Sequence, residues 1–212
     1  MLNKIRKFLW RILGFDYQML LKKTDFVLLG NDCFTQKGIR TYDNGAKVWR
    51  WTNAPINIGK YCSIAHNVNF IVDEGFHKIS SITNFPLAKN MFKDESLING
   101  LEKKTYFSKF KQKEGIFIGN DVWIGMGVFI MPGVTIGNGV TIAANSVVTE
   151  DISDYVLVAG SPAKVVREKY NKLLIQKLNK IAWWHWDEIL IKNRIDDFHN
   201  GIEFFVDKYY QK

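Results

Sequence analysis

Histidine is the side chain whose ordinary ionisation falls in the neutral range, so it is the first place to look for a proton-transfer group. This chain carries four: His66, His77, His185 and His199. His77 follows two carboxylates, Asp73 and Glu74, that can orient or polarise an imidazole, and it stands where a regular repeat gives way to a long irregular segment. Such a residue is either a general base or an ordinary loop histidine, and spacing alone leaves both readings open. His66 sits at the third position of a repeat unit and reads as a surface or subunit-contact residue. His185 lies in a tryptophan cluster and His199 in the tail, and neither has a base's setting. Of the two cysteines, Cys62 occupies the fifth position of a repeat unit, where its counterparts point inward, which argues against a nucleophilic thiol and a covalent intermediate. Without an export signal, Cys33 and Cys62 are expected as reduced thiols.

The element that must position His77 is a six-residue repeat. From Ile118 to Ser153 the chain reads IGNDVW, IGMGVF, IMPGVT, IGNGVT, IAANSV, VTEDIS. Each unit opens on an aliphatic residue (Ile118, Ile124, Ile130, Ile136, Ile142, Val148), with a small or aliphatic residue four places on. Period six fits short strands joined by tight turns, with the same side chains repeatedly sent inward. The earlier run IGKYCS, IAHNVN, FIVDEG (58 to 75) keeps the register. Three hexads make one triangular coil of about eighteen residues, so residues 56–75 supply one coil and 118–160 two more. Residues 76–117 interrupt the winding, and an excursion this long in a compact domain is usually functional. Gly119, Gly125 and Gly137 follow their openers, where a turn with positive φ is expected.

The fold class expected is all-β, a parallel β-helix with a long excursion loop and flanking N- and C-terminal helices, as one domain over residues 1–212. Residues 1–25 form a basic amphipathic pattern (Leu2, Ile5, Leu9, Ile12, Leu13) that is expected to pack on the solenoid or a neighbouring subunit, with contact to an anionic membrane surface as the other possibility. Residues 163–212 read as helical from about Val165 to Ile181, then a Trp-rich turn, then helix to about Tyr209, covering the last coil. Trp183, Trp184 and Trp186 read as packing anchors. Trp49, Arg50 and Trp51 are either packing or a platform for a sugar or nucleotide. The formal charge of +8 points to an anionic partner, yet the lysines form no recognisable nucleic-acid motif, so none is expected. No apolar run reaches the roughly 18 residues of a membrane span, and the chain reads as cytoplasmic.

The segments IGNDVWIG (118–125), MPGVTIG (131–137), AANSVV (143–148) and AGSPAKVVR (159–167) resemble the bacterial hexapeptide acyltransferases. More narrowly, EGFHKISSITNFPL (74–87) and IAWWHWDEILI (181–191) resemble the xenobiotic acetyltransferase branch, which includes chloramphenicol and streptogramin acetyltransferases and relatives encoded with surface-polysaccharide genes. The similarity covers roughly residues 56–192. It implies a left-handed winding, which periodicity leaves open. It also implies His77 as the general base of direct acetyl transfer from acetyl-CoA, and a homotrimer with sites between subunits. By the same resemblance the pantetheine arm lies near Trp123, Gly125, Met126, Ala144 and Thr149, and Lys164 and Arg167 meet the phosphates of coenzyme A. Met126 and Glu150 depart from the family's small polar residue and lysine. On the residues themselves, Ala144 and Thr149 also fit plain coil geometry, and Lys164 and Arg167 a solvated helix start. Gly125 allows close backbone approach to a thioester oxygen, or serves only the turn.

The acceptor expected is a saccharide hydroxyl or amine, such as a nucleotide-linked amino sugar in surface-polysaccharide (lipopolysaccharide-type) synthesis. The alternatives are an antibiotic hydroxyl and a catalytically dead trimeric binding module. A γ-type carbonic anhydrase needs three histidines around zinc, and the C-terminal hexads hold none, so no metal is expected.

Overall fold

A computed structural model describes residues 26–75, 77, 80–110 and 112–211; the N-terminal segment expected to be helical lies outside them. The chain opens with β1 (Val27–Leu28) and then winds. The first coil is β2 (Thr35–Lys37), β3 (Tyr42–Asp43) and β4 (Lys47–Trp49), and the second is β5 (Ile56–Ile58), β6 (Ser63–Ile64) and β7 (Asn69–Ile71). The excursion follows, with α1 (Leu87–Met91), a small hairpin of β8 (Leu97–Ile98) and β9 (Leu101–Glu102), and α2 (Lys103–Phe107). Winding resumes with β10 (Ile116–Ile118), β11 (Trp123–Ile124) and β12 (Phe129–Ile130), then β13 (Thr135–Ile136), β14 (Thr141–Ile142) and β15 (Val147–Val148). A bridge at Ile152 and β16 (Val156–Gly160) begin a last turn, which β17 (Ala163–Glu168) ends by folding back antiparallel on β16.

Each coil adds one strand to each of three sheets. The first sheet is β2, β5, β10 and β13; the second is β3, β6, β11, β14, β16 and β17; the third is β1, β4, β7, β12 and β15. Successive coils pair in parallel register, so Ile58, Ile118 and Ile136 stack, as do Ile64, Ile124 and Ile142. The hexad openers from Ile118 to Val148 and their fifth-position partners are all buried, and Cys62 is buried with them. Ser146 is the polar exception; its hydroxyl donates to the Ala143 carbonyl and accepts from the Gly160 amide. The excursion leaves and re-enters at one corner, where Gly115 N–H donates to Val72 O, so β10 stacks on β5 without loss of register.

Three expectations need correction. The solenoid starts a coil earlier than residue 56. In this first coil the positions matching Ile58 and Ile64 hold Lys37 and Asp43, which pair with each other at 2.7 Å instead of entering an apolar core. The aliphatic signature is therefore missing although the backbone winds normally. Second, residues 163–168 are strand, not helix: β-branched Val165 and Val166 suit a pleated edge, and β17 covers the open side of β16. Third, the turn chemistry sits two residues further along than expected. The left-handed residues are at the fourth hexad position, Asp121, Gly127, Gly133, Gly139 and Asn145, with φ between 56° and 75°. Gly125 is needed instead for stacking, because a Cβ there would lie 2.6 Å from the Ala144 nitrogen of the next coil.

The tail comprises α3 (Lys172–Ile181), α4 (Glu188–Asn193) and α5 (Ile202–Tyr209), the first two capped by the side chains of Asn171 and Asp187. It lies along the corner between the first and second sheets, not over the end of the last coil. Trp183 packs on Tyr61 at 4.8 Å, Leu178, Trp184 and Phe205 share a core with Tyr155, and Arg40 forks onto Glu188 with bonds of 2.8 and 2.5 Å. The tryptophans are packing residues, as the sequence suggests.

Candidate active site

The corner between the third and first sheets carries a cleft of about 580 Å³. Its floor is solenoid: Ile71 at the end of β7, Met131 and Pro132 after β12, and Thr149 after β15. Its walls are two loops, one carrying Trp51 and the other His77, with Pro86 and Lys89 from the excursion and Lys113 from its return.

Asp73 holds the two loops together. Its side chain is buried, with 1% of the residue exposed. One carboxylate oxygen accepts from the amides of Trp51 (2.8 Å) and Thr52 (2.9 Å) and from the Thr52 hydroxyl (3.2 Å); the other accepts from the Gly75 amide (3.0 Å). Four donors on one anion explain how a carboxylate tolerates burial. Asp73 is thus a loop organiser and not the imidazole's partner, and the expectation that it polarises His77 is corrected. Glu74 accepts from the Lys113 amide at 3.1 Å, tying the start of the excursion to its end. Gly75 adopts a φ of 59°, and a Cβ there would touch both the Trp51 indole and the His77 ring at 3.6 Å. Trp51 and His77 therefore flank one glycine.

His77 Nδ1 lies 3.0 Å from the Asn84 carbonyl oxygen. A carbonyl only accepts, so the neutral ring carries its proton on Nδ1 and presents Nε2 as a lone pair. This is the tautomer a general base requires, and its orienting group is a main-chain oxygen of the same loop.

Of the other expected site residues, only Thr149 shares this cleft. Gly125, Met126 and Ala144 lie at the next corner, between the second and third sheets, beside exposed His66, whose carbonyl accepts from Gly127. The Gly125 amide already donates to Ile142 O at 2.9 Å, so it is not available to a thioester oxygen, and the close approach it permits is to Ala144. Trp123 projects from β11 with 59% of its surface exposed. Lys164 and Arg167 are exposed on β17, and Lys164 lies 3.4 Å from Glu150. The run Trp49, Arg50, Trp51 divides. Trp49 donates to Asn69, the half-buried Arg50 forms an ion pair with Asp32 at 2.6 Å, and only Trp51, 55% exposed, reaches the cleft. Among the described residues, no group of three or more His, Cys, Asp or Glu is placed to hold a metal, and no helix is long and apolar enough to cross a membrane.

The structure is thus a three-sheet parallel solenoid whose excursion brings a histidine to a coil corner. The family model of bacterial transferase hexapeptide repeats (six repeats) matches residues 115–150. A probable macrolide acetyltransferase of Lysinibacillus sphaericus is 37% identical over 171 residues, 79% of this chain and 91% of the relative. A chloramphenicol acetyltransferase of Morganella morganii is 32% identical over 157 residues, 73% of this chain and 71% of the relative. A solved hexapeptide-repeat acetyltransferase of Vibrio cholerae, complexed with acetyl coenzyme A, aligns at a TM-score of 0.47 and 28% identity over 66% of this chain and 62% of that one. The chain belongs to the hexapeptide-repeat acetyltransferase family, whose repeat implies the left-handed winding.

Proposed function

We propose that this chain transfers the acetyl group of acetyl-CoA directly to a hydroxyl or amino group of a small acceptor bound in the Trp51–His77 cleft. The carrying observation is the 3.0 Å contact from His77 Nδ1 to the Asn84 carbonyl. His77 Nε2 takes the acceptor proton as the acceptor oxygen or nitrogen attacks the thioester carbon; the C–S bond then breaks, and the proton passes to the departing sulfur of coenzyme A. Cys62, buried in the core with its thiol pushed up by burial, takes no part.

Donor binding draws on Trp123, Gly125, Met126, Ala144 and Thr149 along the solenoid and on Lys164 and Arg167 for the phosphates. Most of these are exposed, and Phe117, Trp123 and Phe129, one on each of the three sheets, leave an exposed aromatic side chain on each outer face. Both features support a homotrimer in which a neighbouring copy completes each donor site, with residues 1–212 acting as one unit. For the acceptor, the indole of Trp51 beside polar Glu74, Asn90 and Lys113 suits a saccharide, including a nucleotide-linked amino sugar of surface-polysaccharide synthesis. The relatives named for macrolides and chloramphenicol support an antibiotic hydroxyl as the second reading. Thiol release from acetyl-CoA, followed across nucleotide sugars, simple sugars, a macrolide and chloramphenicol, tests both. Acceptor-dependent release establishes transfer and its substrate class. Tight acetyl-CoA binding without release for any acceptor makes the chain a binding module and overturns the proposal.

A further inference from the structure

A second cavity, of about 480 Å³, lies at a different corner, between the solenoid and the tail, and shares no residue with the His77 cleft. Half of its lining is aromatic: Tyr155, Tyr170, Trp183, Phe198 and Phe205. These rings brace one another. Trp183 meets Phe198 edge-on at 5.2 Å, Phe198 meets Phe205 at 4.9 Å, and Tyr155 meets Tyr170 at 5.8 Å, so the cage is formed before anything enters it.

The cavity also contains a carboxylate. Asp121 stands at the left-handed position of its hexad, with its amide donating to Lys60 O at 2.9 Å. What acts on its side chain is burial, which pushes its carboxyl up to about 6, against the charge of Lys169, with no hydrogen bond contributing. The Lys169 ammonium itself donates to the Gly139 carbonyl at 2.7 Å. Nearby, the Tyr155 hydroxyl is buried and, among the described residues, has no hydrogen-bond partner. A carboxylate taken partly out of water among aromatic rings is uncompensated unless a positive charge meets it there.

The chemistry selects that ligand. Ring faces carry negative charge and attract cations; of the remaining lining residues Leu178 and Ile202 are apolar, Gly201 has no side chain and His199 is polar. An anion would meet Asp121 and the ring faces. A neutral apolar molecule would bury the carboxylate further without compensating it. We propose that this cavity binds a small organic cation, a protonated amine or quaternary ammonium group, seated among the rings of Tyr155, Trp183, Phe198 and Phe205 and countered by Asp121. Because the site joins solenoid to tail, an occupant fixes the tail on its corner.

Calorimetric titration of the full chain with choline and with methylammonium, at matched ionic strength and at pH 8, tests this. The comparison ligand is 3,3-dimethyl-1-butanol, the uncharged shape analogue of choline. At least one cation should bind saturably, choline about tenfold or more tightly than the alcohol, and Asp121→Asn should weaken cation binding by a similar factor. Asparagine tolerates the left-handed backbone at 121, so that variant keeps the turn. Trp183→Phe, which keeps a ring, should weaken binding less than Asp121→Asn. Saturating acetyl-CoA and His77→Ala should leave the cation's affinity unchanged, which separates this site from the proposed catalytic one. Absence of saturable binding by either cation, equal affinity for the alcohol, or undiminished binding in Asp121→Asn overturns the proposal.

Discussion

Replacing Asp73 with asparagine keeps the size of the side chain and removes only its charge and one acceptor. In the native loop pair, three donors converge on one carboxylate oxygen and the Gly75 amide on the other. An amide has one oxygen, so its better orientation keeps the cluster from Trp51 and Thr52 and turns an NH₂ toward the Gly75 N–H. That loses one hydrogen bond to a charged group and leaves a donor facing a donor, a cost of about 2 kcal/mol. The loss falls on the link between the Trp51 loop and the His77 loop. If that free energy is spent restoring the active arrangement, kcat/KM for the acceptor falls roughly 30-fold. The proposed donor site draws mostly on other elements, so KM for acetyl-CoA should stay within about twofold. Steady-state thiol release, with separate acceptor and donor titrations, reads both effects. A thermal melt checks that the solenoid persists. The pH dependence of the residual rate should keep its native shape, because the proposed base, His77, is unchanged. Native kcat/KM in a folded Asp73→Asn protein would refute the organising role, and an altered pH profile would place Asp73 in the proton transfer itself.

Further outcomes follow from the same geometry. Lys164→Ala with Arg167→Ala should raise KM for acetyl-CoA more than it lowers kcat, since phosphate contacts are equal in ground and transition states; an unchanged KM removes both from the donor site. Gly125→Ala should lower the melting temperature strongly, because the new Cβ meets Ala144 backbone at 2.6 Å; a melt unchanged from native would show that the coils can separate at no cost. Burial raises the Asp121 carboxyl from 3.8 to about 6. The folded state therefore holds its proton longer than the unfolded chain, and this group's contribution to stability declines as pH rises from about 4 to about 6. Asp121→Asn should remove that decline and stabilise the protein near pH 8 by up to about 3 kcal/mol, read by denaturant titration at several pH values; an identical pH dependence in the variant counts against it.

The parts of the fold visible in the sequence are those where one side-chain class repeats at one position. The hexad openers and their partners, together with Cys62, enter a continuous apolar core, and period six announces them. The first coil escapes notice because Lys37 and Asp43 satisfy each other at the positions where isoleucines mark later coils. The strand at 163–168 is hidden by its neighbour, the amphipathic α3, whose periodicity extends backward to the eye but not in the backbone. His77 is identifiable from its surrounding motif, yet the roles around it are not. Asn84 acts through its main-chain oxygen, which any residue supplies, and Asp73 acts on amides of residues 51 and 52, a long-range contact with no local pattern. Trp51 reaches the cleft while its neighbours Trp49 and Arg50 turn to structural partners, Asn69 and Asp32, that are distant in sequence and leave no local pattern.

The central claim is that His77, held by the Asn84 carbonyl, removes the acceptor's proton, and the kinetics of His77→Ala test it most directly. The folded variant should bind acetyl-CoA as the native chain does and lose about 10²- to 10⁴-fold in kcat, with the rise of native rate with pH absent. An amine and a hydroxyl acceptor should be compared, because an amine's own deprotonation supplies part of that rise. Near-native turnover of a hydroxyl acceptor by folded His77→Ala protein would contradict the account and move the search for the base to His66.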